Sequence, residues 1–163
     1  MGVDVRPTDR VSAAVDAAVE AANRSWESSR LGASALGEPC DRQLWYGLRW
    51  ATKAKPFDGR MLRLFRTGHR QEAQIIEDLR LAGLEVEDVD PKTGKQFTAA
   101  RGHRVCKIDG KVRGVPDAEK AWHVLEVKTH NAKNFAQLVK HGVRVSHPKH
   151  AAQCDIGMEM FGI

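Results

Sequence analysis

A chain of 163 residues amounts to about one domain, which excludes two separate catalytic domains and still leaves enough chain to bury a core. With 42% hydrophobic and 29% charged residues the composition is that of an ordinary globule; no apolar run approaches the roughly 18 residues of a membrane helix, and Val11–Ala22, interrupted by Asp16 and Glu20, is no signal-peptide core. Lys and Arg number 26 against 21 acids, a formal charge of +5 that favours polyanionic partners, while three dispersed cysteines, Cys40, Cys106 and Cys154, argue against a disulfide scaffold and fit a reducing cytoplasm.

Thr8 to about Ser25 reads as an amphipathic helix with Val11, Val15, Ala18, Val19 and Ala22 on one stripe, and Ser28–Ser34 as a short linker. A second helix is expected from Pro39, a residue suited to the first helical position, with Leu44, Trp45 and Leu48 turned inward. Phe57–Gly59 is a break. A long helix follows over about Arg60–Ala82, with Leu62, Phe65, Ile75, Ile76 and Leu79 at helical spacing and Gly83 as its C-terminal cap. From Leu84 the period changes to two. Strands are expected over Leu84–Val89 and Gln96–Ala100 around a Pro91–Gly94 turn, over Arg104–Ile108 and Lys111–Val115 around an Asp109-Gly110 hairpin turn, and over Trp122–Thr129. Two helices, about Asn134–His141 and Pro148–Phe161, follow. This order predicts an α/β fold: a central mixed, largely antiparallel sheet flanked by helices, with an N-terminal helical segment over residues 1–33 and the core over 34–163.

The chemistry-bearing stretch is Gly114-Val-Pro-Asp-Ala118 followed by Val124-Leu-Glu-Val-Lys-Thr129. Residues two apart share a strand face, so Glu126 and Lys128 project together while Leu125 and Val127 face a core. Asp117 ends the preceding strand, and the short connection Ala118–Ala121 is expected to bring it beside Glu126. Two adjacent carboxylates resist ionising together unless a cation compensates, and Mg²⁺ or Mn²⁺ suits carboxylate oxygens, a backbone carbonyl and water. Asp117 and Glu126 are therefore candidate metal ligands, the Val127 carbonyl a third, and Lys128 the group that positions water or stabilises phosphate charge. The competing reading is a Glu126–Lys128 surface ion pair plus a turn aspartate; Pro116-Asp117, eight residues, then Glu126-x-Lys128 is the more specific pattern. Glu72 heads an apolar stripe with Ile75, Ile76 and Leu79. It is either a metal ligand near Asp117 or a carboxylate held by the helix dipole or Arg70, and His69 is the weaker candidate ligand.

The letters at Pro116, Asp117, Glu126 and Lys128 resemble the signature of the PD-(D/E)XK nuclease superfamily, more narrowly its phage (lambda-type) exonuclease and RecB-type branch. Ser34–Tyr46, with Cys40-Asp-Arg42, is similar to that branch's N-terminal Cys-x-Arg segment; Arg66-Thr-Gly-His-Arg-Gln-Glu72 to its first motif; and His147-Pro-Lys-His-Ala-Ala-Gln153 to its glutamine helix. The resemblance implies a restriction-endonuclease-like core that hydrolyses DNA phosphodiesters with Mg²⁺ or Mn²⁺, with Gln153 joining Asp117, Glu126 and Lys128 in catalysis. It further implies exonuclease action on DNA ends in phage or prophage recombination or repair, in a bacterial host cytoplasm. DNA, a single-strand annealing protein and further copies of the chain are the partners expected, and a membrane is not. The chain departs from the pattern in three respects. The Tyr that usually follows the glutamine is missing, the cysteine cluster of the iron–sulfur members is missing so that no such cluster is expected, and the sequence stops soon after the glutamine helix, as a truncated core or a short member would.

For DNA contacts, the resemblance points to Arg42. Arg60, Arg63, Arg66 and Arg70 recur at near-helical spacing, and Lys133, Lys140, Lys149 and His150 follow Lys128; these either grip phosphates or form a solvated basic face. Trp26, Trp45, Trp50 and Trp122 are candidates for base stacking, with Trp45 weighing toward the core and Cys40 toward buried packing. Two other functions stay open: an endonuclease of the same superfamily, for which no sequence-reading segment is found, and a non-catalytic DNA-binding module that retains the fold.

Overall fold

The computed structural model describes residues 10–23, 30–49, 51 and 56–163; Thr8, Trp26, Trp50 and the first residues of the expected linker lie outside them. Helix α1 (Arg10–Ala22) does not bury its valine stripe, since Val11 and Val15 are exposed. It is held instead by polar ties to the long helix that begins at Gly59: Arg63 pairs with Asp16 at 2.8 Å, and the Gly59 N–H donates to Glu20. The expected linker carries structure of its own, a short strand β1 (Leu31–Gly32) and one turn of helix α2 (Ala33–Leu36). β1 pairs in parallel with a strand more than seventy residues later, a partnership invisible to local pattern. Helix α3 (Asp41–Leu48) follows Pro39 by two residues, and two expectations about it fail: Cys40 is exposed, and Trp45 is 54% exposed rather than inward. Helix α4 (Gly59–Leu81) is capped by Asp58, whose carboxylate accepts the Met61 N–H at 2.8 Å, and buries Leu62 and Ile76.

The strands form two three-stranded sheets rather than one central sheet. One has the order β1-β4-β3, from β3 (Thr98–Arg101) and β4 (Arg104–Lys107); the other has the order β2-β5-β6, from β2 (Glu85–Glu87), β5 (Gly110–Arg113) and β6 (His123–Leu125). Every pairing but that of β1 is antiparallel. Arg101 pairs with Arg104, so the tight hairpin turns at Gly102-His103, not at Asp109-Gly110. At Asp109 the chain passes from one sheet to the other: the Ile108 N–H donates back to Phe97 O at 3.3 Å and the Asp109 N–H forward to Leu125 O at 3.2 Å. Gly110 is demanded by contact rather than by a turn, because a Cβ there would stand 2.6 Å from Glu87 O on β2. Asp90 and Lys95 do bridge across the expected Pro91–Gly94 turn, but the strands on either side belong to different sheets.

Two apolar clusters flank this crossing. Ala33, Phe97, Cys106 and Ile108 are buried with Val124, Ile156, Met160 and Phe161 against them; Ile76, Val86 and Val112 are buried with Leu79, Leu84, Val115 and Leu125. Adjacent residues Val124 and Leu125, each partly buried, thus pack against opposite clusters, as strand alternation requires. Helix α5 (Ala132–Ser146) is capped by Asn131, which accepts the Asn134 N–H at 2.8 Å, and is bent at Gly142. Helix α6 (Pro148–Phe161) lies on the first cluster. Gly157 permits the approach, since a Cβ there would stand 3.3 Å from both Ile108 and Val124. Arg144 ties α5 to α6 through two bonds of 2.9 Å to Asp155. Among the described residues no helix is long and apolar enough to cross a membrane.

Candidate active site

The β5–β6 ladder sets the geometry. Gly110 pairs with Leu125, Lys111 with Val124 and Val112 with His123, so one further step puts Asp109 opposite Glu126. The Val127 N–H then donates to Asp109 Oδ2 at 2.8 Å, which locks that register from the side-chain level. The expected juxtaposition of Asp117 with Glu126 is not formed. Asp117 is exposed in the connection beyond Arg113, with φ 67°, at the closed end of the hairpin, while Glu126 leaves its open end. The intervening ladder alone spans roughly 10 Å. The acid facing Glu126 is therefore Asp109. Reading Asp109-Gly110 as a hairpin turn hid it, and the register of the β5–β6 ladder brings it out.

Glu126 is the most enclosed ionisable group of the site, its side chain 5% exposed. Lys128 Nζ and Gln153 Nε2 both donate to its Oε1, the latter at 2.6 Å, whereas Oε2 is buried without a hydrogen-bond partner. Burial pushes this carboxyl above the usual carboxylate range, with the charges of Asp109 and Glu72 adding to the effect and Lys128 opposing it. Gln153 is 7% exposed, on the face of α6 that also buries Gly157 one turn later, so it is a wall of the site rather than solvated surface.

Glu72 approaches from α4. Burial pushes its carboxyl up, Asp109 adds to the rise, and His69 and Lys128 counter it. His69 stands on the outer side, 79% exposed, with Nδ1 3.7 Å from Glu72 Oε2; of the two first-motif candidates it is Glu72 that senses the other acids. The backbone of α4 lies close to the segment after Lys128, where a Cβ on Gly68 would be 3.7 Å from Thr129 Oγ1.

The expected DNA-contacting residues separate into two groups. Arg42, Arg66, Arg70 and Lys133 are exposed. Arg63 and Lys149 are not free cations: Arg63 is paired with Asp16, and Lys149 with Glu38 beside α2. Trp122 lies under the Arg113 guanidinium at 5.0 Å, so one ring face is taken, while Trp45 packs edge-on to Tyr46 with centroids 5.4 Å apart. In the sequence His150 reads only as one of several basic groups after Lys128; the structure packs it with His130 and His147, a grouping whose only local signal is the spacing of His147 and His150 by one helical turn.

The donor set can be tested against Mg²⁺. Among the described residues no three His, Cys, Asp or Glu side chains close around one point as a cage for a metal would. Mg²⁺ does not need a cage; it binds through one or two carboxylates and keeps several waters. The buried, unpartnered Oε2 of Glu126, with Asp109 opposite, is such a donor set, and the residues fit the ion. No family model, curated protein or solved structure matches the chain.

Proposed function

We propose that this protein is a metal-dependent nuclease that hydrolyses DNA phosphodiesters, acting as an exonuclease on DNA ends, with a restriction-endonuclease-like core. The observation that carries this reading is the orphaned Oε2 of Glu126, buried opposite Asp109 beside an ammonium. An unpaired carboxylate oxygen in such surroundings is expensive to retain unless a cation completes it. Glu126 and Asp109 would hold Mg²⁺ or Mn²⁺, with the Val127 carbonyl as a third oxygen and Glu72 as an outer or additional acid; Asp117 has no part. Bound there, the ion would acidify a water and neutralise phosphate charge.

The chain's own groups have separable tasks. Gln153 and Lys128 share Oε1 of Glu126 and so fix which oxygen is left for the cation. Lys128, one-third exposed, is able to turn its remaining N–H donors to a phosphate oxygen or the attacking water. Arg66 and Arg70 on α4 and Arg42 on α3 supply contacts to the nucleic-acid backbone that carry no sequence information. The resemblance to the phage-exonuclease branch gives DNA ends as the substrate, and a strand-annealing protein and self-assembly as the associated partners.

The test is incubation of the chain with end-labelled linear DNA and with covalently closed circles, in Mg²⁺ and in EDTA. The reading expects loss of linear DNA only, and only with Mg²⁺. Discrete cutting of closed circles would replace it with an endonuclease. Salt-sensitive binding without cleavage of any DNA would replace it with a binding module.

A further inference from the structure

Three imidazoles pack against one another beside Lys128, apart from the carboxylates. His130 follows Lys128 by two residues, while His147 and His150 sit at the N-cap and in the first turn of α6. Ring centroids lie 4.4 Å apart for His130 and His147, 5.4 Å for His130 and His150, and 5.2 Å for His147 and His150, whose planes are within 10° of parallel. Ser146 Oγ meets Nδ1 of His147 at 2.8 Å. Among the described residues nothing accepts from the ring nitrogens of His130 or His150, and no side chain caps the helix end they crowd.

The surroundings of this group are positive. The charge of Lys128 acts on His130 and His150 and the N-terminal end of α6 carries partial positive charge; of the cations close by in sequence, Lys149 and Arg144 are paired with Glu38 and Asp155, while Lys133 on α5 is exposed. Burial, Lys128 and the neighbouring rings hold His130 and His150 below the ordinary histidine range, so both are neutral N–H donors at neutral pH. A divalent cation is a poor occupant of such a place, and no metal-holding trio is gathered among the described residues. An anion with several acceptor oxygens answers every feature at once.

We infer that His130, His147 and His150, with the uncapped end of α6, form a phosphate subsite that holds the nucleic-acid backbone phosphate next to the one beside Lys128. The inference rests on the nuclease reading for its ligand, but the subsite itself is a property of these three rings. Bound phosphate favours protonation of the imidazoles, so occupancy draws in protons and strengthens as pH falls from about 7.5 to 6.

The test uses the whole chain. Imidazole NMR signals are followed during titration with inorganic phosphate, and KM and kcat for linear DNA are compared between wild type and His147→Ala/His150→Ala. Phosphate should shift all three histidine signals, more at pH 6 than at 7.5. The double variant should raise KM about ten- to a hundredfold, as loss of hydrogen bonds to a charged group does, with a much smaller fall in kcat. His150→Gln, which keeps an N–H donor but cannot be protonated, should bind near wild type at pH 7.5 and lose the gain at pH 6. If wild type degrades DNA while the variants share its KM and phosphate moves no imidazole signal, the subsite is wrong and the nuclease reading stands. If wild type degrades no DNA yet phosphate moves the three signals, the subsite stands and the nuclease reading is wrong.

Discussion

Gln153 donates its side-chain amide to Glu126 Oε1 at 2.6 Å, an element-to-element bond between α6 and the end of β6 in which both partners are buried. A neutral amide at this place orients a carboxylate without neutralising it. Gln153→Leu should therefore cost about 1–3 kcal/mol in urea denaturation, the usual penalty for removing the partner of a buried charged acceptor. A variant as stable as wild type would show that Lys128 alone suffices to hold Glu126.

Asp109 and Asp117 differ in position, so the two isosteric substitutions discriminate. Asp109→Asn should lower Mg²⁺-dependent cleavage at least about 100-fold, since even the outer partners of metal ligands are worth 10–100-fold. Asp117→Asn, exposed at the closed end of the hairpin, should cleave like wild type. Equal losses in both would return Asp117 to the site.

The raised Glu126 carboxyl makes metal-free stability depend on pH. Its folded value lies above its unfolded one, mainly through burial. The contribution of this group is fully present below the unfolded carboxylate range and lost as pH rises through the higher folded value. Glu126→Gln, which cannot ionise, should melt above wild type at pH 7.5 in EDTA, with the gap closing toward pH 4. Mg²⁺ should raise the melting temperature of wild type and not of the variant. A variant that melts below wild type at pH 7.5 without metal would contradict this account.

Gly110→Ala should be destabilising although glycine's φ there is not the constraint. The added Cβ would meet Glu87 O at 2.6 Å, a backbone atom of β2 that cannot swing away, so about 1–3 kcal/mol is expected from overpacking. Because Asp109 precedes it, cleavage should fall as well. Guanidinium denaturation alongside the cleavage assay separates the two effects.

Salt dependence of DNA binding tells paired cations from free ones. Each phosphate contact contributes about 0.9 to the slope of log affinity against log salt. Arg66→Gln with Arg70→Gln should flatten that slope by about 1–2. Arg63→Gln should leave it unchanged, because Asp16 already occupies that guanidinium. A slope indifferent to Arg66 and Arg70 would move the nucleic-acid path off α4.

Much of the chain was legible before folding was considered. The amphipathic period of α4 and the Pro-led α6 are set by interactions within a few residues, and each lies within one residue of its expected bounds, whereas the strand expected over Trp122–Thr129 ends at Leu125, before Glu126 and Lys128. Strand pairing is another matter, because it is decided by partners distant in sequence. Local pattern could not show that the Asp109-Gly110 dipeptide crosses between two sheets, that Leu31 pairs in parallel with Arg104, or that Cys40 and Trp45 stay exposed. The same holds for the candidate site. The residue types announced carboxylate and ammonium chemistry, but which acid faces Glu126 depends on hairpin register, and a register is fixed by the whole ladder together with the Val127–Asp109 bond rather than by the spacing of letters.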